Sequence, residues 1–249
     1  MRTIKLYIFY SVLAAVALHS STKKQSLPDL RESFSYKDPR PFGASFAYSL
    51  FKDSYHGRKP GLTGQQFSEN NNRDDDSASL YFNVSRNFYL TEKDADALLD
   101  FVDKGNTAFI SSAYIDTLLL EKISCRQTND LRYLYTGIPR LQTTSVHFAK
   151  ELNIYPDTFR YFYYPFNNFF SEIQSTHALE VGYNDSGRTN LYTFLWGKGR
   201  LYFHSEPRAF SNYFLLTDHN YKYMQGILQM LPAKPQNIYW DNFYGYKNY

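Results

Sequence analysis

The sequence predicts an α/β fold: a parallel βαβα unit with a β-rich segment, inserted or appended, at about residues 125–200. Two observations carry this. Between Ser79 and Ile123 an apolar run, a helical pattern, a second apolar run and a second helical pattern follow one another. That order and spacing point to a parallel sheet with right-handed crossovers. Beyond Cys125 the pattern changes to short alternating and aromatic runs, as antiparallel strands require.

Taken in order, the chain opens on "MRTIKLYIFYSVLAAVALHSS". Arg2 and Lys5 precede an apolar run from Leu6 to Leu18, interrupted only by Ser11. The run is short of the ~20 residues of a spanning helix and suits the apolar core of a signal. Ala15-Val16-Ala17 could be cut, whereas Tyr7 and Tyr10 would suit a membrane interface. Residues 1–20 therefore read as a retained anchor or a removed signal, and either places the rest outside the cytoplasm. No cysteine follows the run, which argues against lipid attachment. Polar residues 21–37 read as a spacer, and 38–249 as the domain.

Residues 38–55 read as a helix, with Pro41 in its first turn and Phe42, Phe46 and Leu50 at helical spacing. Residues 56–79 read as a long loop. Its Asp74-Asp75-Asp76 run lacks the spacing and closing Glu of a calcium loop. "SLYFNV" is a strand. "LTEKDADALLDFVDKG" is a helix, with Thr91 as N-cap, Asp94 three residues on, Leu98, Leu99 and Val102 inward, and Gly105 past its end. "TAFIS" is a second strand and "AYIDTLLLEKI" a second helix. "TTSVHFA", "RYFYYPF", "HALEVGY", "TNLYTFLW" and "RLYFHS" are further strands, the last two joined by the turn in "WGKGR". Residues 210–231 return to helix, ended by Pro232, and "NIYWDNFYGYKNY" is a last strand or extended tail.

Composition limits the chemistry. The 249 residues suit one large domain, and 24 Tyr with 21 Phe imply an aromatic core. The 27 basic and 24 acidic residues are intermixed, and the net charge of +3 leaves no electrostatic footprint for nucleic acid. Cys125 stands alone, which excludes an intramolecular disulfide and a thiolate zinc site. His19, His56, His147, His177, His204 and His219 show no metal-binding spacing. The "GKG" at 197–199 is a hairpin turn and not a phosphate loop. No cofactor and no metal are expected.

Four segments, in their order and spacing, resemble a bacterial envelope family common in Bacteroidetes, domain of unknown function 4350. They are "DPRPFGASFAYSLF" (38–51), "LTEKDADALLDFVDKGNTAFIS" (90–111), "GKGRLYFHSEPRAFSNYFLL" (197–216) and "QNIYWDNFYG" (236–245). Pro41, Phe42, Gly43, Gly105, Gly199, Pro207, Phe210, Asn212, Trp240 and Asp241 carry the pattern. The resemblance implies a flavodoxin-like fold similar to class I glutamine amidotransferases, with no assigned activity. It also implies an envelope location and proximity to MoxR-type AAA+ ATPases and their companion proteins. Many members continue into a second membrane helix, so the chain is expected to be a short member or a truncated product.

A site of amidotransferase type needs a nucleophile on a sharp strand-to-helix turn, a later His and a carboxylate to orient it. Ser111 and Ser112 stand at the expected strand end, with His204 and Glu206 following in that chain order. Against this, serine stands where such enzymes have cysteine, and "FISSAY" has no glycine for an elbow. The plainer expectation is that Ser112 caps the next helix, His204 is a satisfied, partly buried histidine, and Glu206 is a solvated loop carboxylate. The expected function is therefore a non-catalytic, membrane-anchored binding or accessory subunit with protein partners in the envelope and an unidentified ligand. The alternatives are a divergent Ser-His-Glu hydrolase, or a periplasmic binder of glycans or peptides through the aromatic stretch Tyr155–Phe170.

Overall fold

The computed structural model describes residues 27–69, 77–128, 141–155, 157–164, 168–171, 173–174 and 178–244. The expectations for residues 1–26 and for Asp74–Asp76 lie outside the described residues. The strands are β1 Gly61–Thr63, β2 Leu80–Phe88, β3 Thr107–Ile115, β4 Arg126–Thr128, β5 Gln142–Phe148, β6 Phe159–Tyr163, β7 Phe169–Ser171, β8 Ala178–Asn184, β9 Thr189–Trp196, β10 Gly199–His204 and β11 Ile238–Asp241. The helices are α1 Ser45–Ser54, α2 Glu92–Asp103, α3 Thr117–Lys122, α4 Asn212–Leu215 and α5 Tyr221–Met230.

Nine strands form one mixed sheet in the order β1-β11-β2-β3-β10-β9-β8-β5-β6. From β1 to β10 the pairings are parallel. From β10 to β6 they are antiparallel. β4 and β7 form a separate antiparallel ribbon. The expected flavodoxin-like parallel sheet is therefore not what the chain builds. The β-rich segment is not an appendage: β9 folds back from β10 by a hairpin, and β8, β5 and β6 extend the same ladder. The helices are few and short. α1, α4 and α5 pack on one face, α2 and α3 on the other.

Local chemistry explains the elements. β2 and β3 are covered on both faces, so their sequences are nearly continuous in buried residues instead of alternating. Thr91 and Asp94 close a capping box at the start of α2, as the sequence predicts. Gly105 follows the helix with φ +108°, a conformation that favours glycine. Gly197 opens the β9–β10 turn with φ +55°.

Several elements depart from expectation. Residues 38–44 form a turn ahead of α1, which begins only at Ser45. The loop at 56–79 holds β1 and a 3-10 turn at Phe67–Glu69. Residues 210–231 are not one helix: a 3-10 turn (Pro207–Phe210) ends at Phe210, and α4 and the separate α5 follow. The last aromatic run is a strand, one of the two expected outcomes, and as β11 it lies inside the sheet between β1 and β2. Residues 27–37 are not a free spacer, since Phe34 is buried and its N–H donates to the Phe42 carbonyl. Among the described residues, no helix is long and apolar enough to cross a membrane.

Gly199 gives a test of how tightly β10 fits against α2. A Cβ there would lie 2.1 Å from the Val102 carbonyl oxygen and 2.2 Å from that of Asn106. Both are backbone atoms and cannot swing aside. Gly199→Ala is expected to destabilise the fold by about 2–3 kcal/mol, as overpacking does. Urea denaturation measures this, and a loss under about 0.5 kcal/mol, the range of inert surface changes, would contradict the fit.

Candidate functional site

The end of β10 and the middle of β3 bring two of the predicted site residues together, but not as a triad. His204 closes β10 and Ser111 lies opposite it in register on β3. Their side chains share a face, and Ser111 Oγ meets His204 Nδ1 at 2.8 Å. The other ring nitrogen, Nε2, meets the hydroxyl of Tyr223 on α5 at 3.0 Å. Ser111, His204 and Tyr223 are all 0 % exposed. Burial lowers the His204 pKa to about 3, so the ring is neutral. A neutral imidazole donates at one nitrogen and accepts at the other, and two hydroxyls satisfy both. Phe210 adds an edge-on ring contact to His204 at 5.4 Å.

The remaining triad candidates lie elsewhere. β3 runs on to Ile115, so Ser111 and Ser112 sit inside the strand, not at its end. Ser112 does not cap α3: the N-cap is Asp116, whose side chain accepts from Leu118 N–H. Instead the Ser112 hydroxyl turns to the opposite face and donates to the Arg86 and Tyr114 carbonyls, each at 3.1 Å. β10 stops at His204, so Glu206 leaves the strand and opens the 3-10 turn. Because His204 already has a partner at each ring nitrogen, Glu206 does not orient it.

Nor is Glu206 solvated, as a loop carboxylate would be. It is 3 % exposed and accepts from the Tyr161 hydroxyl at 3.2 Å. Burial raises its pKa to about 8, against the pull of nearby Arg208 and the Tyr161 hydrogen bond. Arg208 Nε donates to Glu32 at 2.5 Å and its Nη1 to the Tyr164 carbonyl at 2.7 Å. Arg86 meets the other oxygen of Glu32 at 3.3 Å. Sequence reasoning missed Glu32, Arg86, Arg208 and Tyr223. The charged three read as ordinary surface residues, and Tyr223 falls in the apolar stripe of α5 with Met224 and Ile227.

The residues of the family pattern have structural work. Asn212 Oδ1 accepts from the Phe46 N–H at 2.8 Å, near the start of α1, and Nδ2 donates to the Asp38 and Arg40 carbonyls. Its own N–H donates to Gly43, and that of Tyr213 to Pro41. A Cβ on Gly43 would lie 2.0 Å from the Asp38 carbonyl oxygen, and Phe42 is buried beside Tyr163 and Tyr213. Pro207 and Phe210 bound the 3-10 turn and are both buried. Asp241 accepts from the Thr63 hydroxyl, the Asn83 amide and the Tyr244 N–H, while Trp240 is buried beside it.

A surface pocket of about 500 Å³ lies at the end of β3, lined by Tyr89, Tyr114, Asp116, Leu120, Cys125 and Gln127 among others. Burial pushes the Cys125 thiol up to about 12, against nucleophilic use. Among the described residues, no group of three or more His, Cys, Asp or Glu side chains could hold a metal ion. In the aromatic stretch Phe159, Tyr161 and Phe170 are buried in the core, whereas Phe162 and Tyr164 are exposed.

The family model described as "Domain of unknown function (DUF4350)" matches residues 36–228. No curated protein matches the chain. Among solved structures the chain is similar to the mmIFT52 N-terminal domain at 18% identity and TM-score 0.51, over 74% of this chain and 89% of that one. That likeness supports a β-rich mixed sheet, not the amidotransferase-like description. Weaker likenesses are to Gan42B, a GH42 β-galactosidase from G. stearothermophilus (TM-score 0.44, 12% identity, 83% of this chain and 28% of that one). A further one is to the exo-β-1,4-mannosidase Op5Man5 from Opitutaceae bacterium strain TAV5 (TM-score 0.40, 10% identity, 82% and 34%). The chain spans only about a third or less of these two enzymes.

Proposed function

Because the chain belongs to the domain of unknown function 4350 family, we propose that it is a non-catalytic binding or accessory subunit of a bacterial envelope assembly linked to a MoxR-type AAA+ ATPase. The observation that carries the non-catalytic part is the enclosure of His204, which is fully buried with both ring nitrogens engaged. A general base must reach the proton it removes and hold a pKa near the working pH. His204 is held far below that range by burial. Its serine has no free approach for a substrate carbonyl, since Ser111 is fully buried in mid-strand. The envelope and ATPase parts rest on the family resemblance alone.

The hydrolase alternative keeps one supporting observation, the 2.8 Å contact of Ser111 with His204. A fluorophosphonate probe separates the two readings. The folded protein is expected to remain unlabelled, and labelling of Ser111 that disappears in His204→Ala would overturn the non-catalytic reading. For the partner reading, the membrane-extracted protein is expected to co-elute with a co-expressed MoxR-type ATPase or its companions. Elution apart from all of them at physiological salt would remove that part.

A further inference from the structure

Among the described residues the exposed aromatic side chains are Tyr89, Phe162 and Tyr164, and all three stand at one end of the sheet. Tyr89 follows the last residue of β2, and Phe162 and Tyr164 bracket the last residue of β6. Successive antiparallel pairings through β9, β8 and β5 turn β6 to the direction of β10. Its end therefore lies with the carboxyl ends of β2, β3 and β10. β5 begins at that end, where Leu141 is exposed, and Leu118 is exposed in the first turn after β3. These ends also meet in space. Glu32 bonds Arg86 of β2 and Arg208 beyond β10, and Arg208 donates to the Tyr164 carbonyl. The opposite end exposes Lys104, Lys198, Arg200 and Leu195 and, among the described residues, no aromatic.

The chain enters at the aromatic end. Leu27 is 91 % exposed and lies just ahead of Leu30 and Glu32. Residues 19–26 alone separate it from the apolar run at 6–18. Fully extended they span at most ~30 Å, at ~3.5 Å per residue. β2 and β3, nine residues each, are about as tall at ~3.3 Å per residue. A bilayer holding residues 6–18 therefore faces the aromatic end, and the tether has no slack to turn the other end toward it.

We propose that this end is a membrane-facing surface, with Tyr89, Phe162 and Tyr164 seated in the interfacial layer of the bilayer that holds residues 1–20. It rests on the envelope reading above and on those residues being retained as an anchor. Rings with an apolar body suit that layer, and a tyrosine adds a polar tip that stays wet. Tyr89 and Tyr164 line different depressions, so a broad apolar layer fits them better than a single peptide would.

The test uses the full chain in phosphatidylcholine vesicles, with flotation to measure attachment. Plain lipid is compared with dibrominated lipid, which quenches tryptophan inside the bilayer. Of the native tryptophans, Trp240 is buried in the core and Trp196 ends β9 at the far end. Parent emission is therefore expected to be equal in both lipids. Tyr89→Trp and Tyr164→Trp should each have their added emission quenched about twofold, since an interfacial ring lies ~5–10 Å into the headgroup boundary. Leu195→Trp, at the far end, should show no quenching. All three replace exposed side chains, so far-UV circular dichroism is expected to match the parent. Floating protein with both added tryptophans unquenched, or with Leu195→Trp quenched as strongly, would overturn the membrane-facing surface and leave the anchor standing. A chain that does not float with the vesicles overturns both.

Discussion

Trp240→Ala is expected to remove about 3–5 kcal/mol of folding stability, the range for truncating a large buried aromatic. Trp240 is 1 % exposed. It stacks on Phe82 at 5.1 Å and meets Phe51 and Tyr48 edge-on at 5.4 and 5.3 Å. One indole therefore joins β2, α1 and β11, and no small neighbour can fill its space without moving a helix. It also sits beside Asp241, whose carboxylate ties β11 to β1 through Thr63 and to β2 through Asn83. Trp240→Phe should lose less, because part of the ring contact remains. Denaturant unfolding with an unchanged m-value would measure the difference. A loss below about 1 kcal/mol for the alanine variant, well under the range for such truncations, would mean that β11 is not held by its tryptophan.

Glu206→Gln is expected to change the pH dependence of stability strongly on the alkaline side. The folded carboxyl titrates at about 8, above its ordinary 4.5, so the native state holds its proton longer than the unfolded chain does. Its contribution is full below pH 4.5 and is lost as pH rises through 8. Each pKa unit is worth about 1.4 kcal/mol, so the loss is on the order of 5 kcal/mol. His204 runs the other way: its pKa falls from 6.5 to about 3, so its contribution is present above pH 6.5 and lost as pH falls through 3. Replacing Glu206 by glutamine removes the alkaline loss and leaves the acid loss. Relative to the parent, the variant should gain stability steadily between pH 5 and pH 8.5. Parallel stability profiles across that range would show that Glu206 is not held protonated by burial.

Local signals in the sequence translated faithfully. The Thr91–Asp94 box, the Gly105 stop and the "WGKGR" hairpin are short-range chemistry, and each is found where the residues put it. The sheet was harder to read because strand partners are set at long range. Nothing local says that "HALEVGY" and "TTSVHFA" continue the main sheet instead of forming a unit of their own. Ser111 also misled for a physical reason. Two serines after an apolar run read as a strand end, but here their hydroxyls are absorbed by His204 on one face and by backbone carbonyls on the other. His204 and Ser111 could be paired from chain order alone. Their third partner, Tyr223, could not, because a tyrosine in an apolar helical stripe looks like any core residue. The Glu32 contact was equally hidden, since a single charge in a polar segment carries no sign of a distant arginine.

The place of β11 has a consequence for how the molecule comes into being on the ribosome. Among the described residues β1 pairs only with β11, and β11 lies between β1 and β2. Two strands adjacent in chain order must therefore wait for one made more than 150 residues later. Until Ile238–Asp241 emerges, β2 presents an unpaired flank and the ring of Phe82 lacks one of its two stacking partners, Trp240. Such long-range closure folds slowly and exposes adhesive surface meanwhile. The nascent chain should therefore depend on a holding chaperone until β11 arrives.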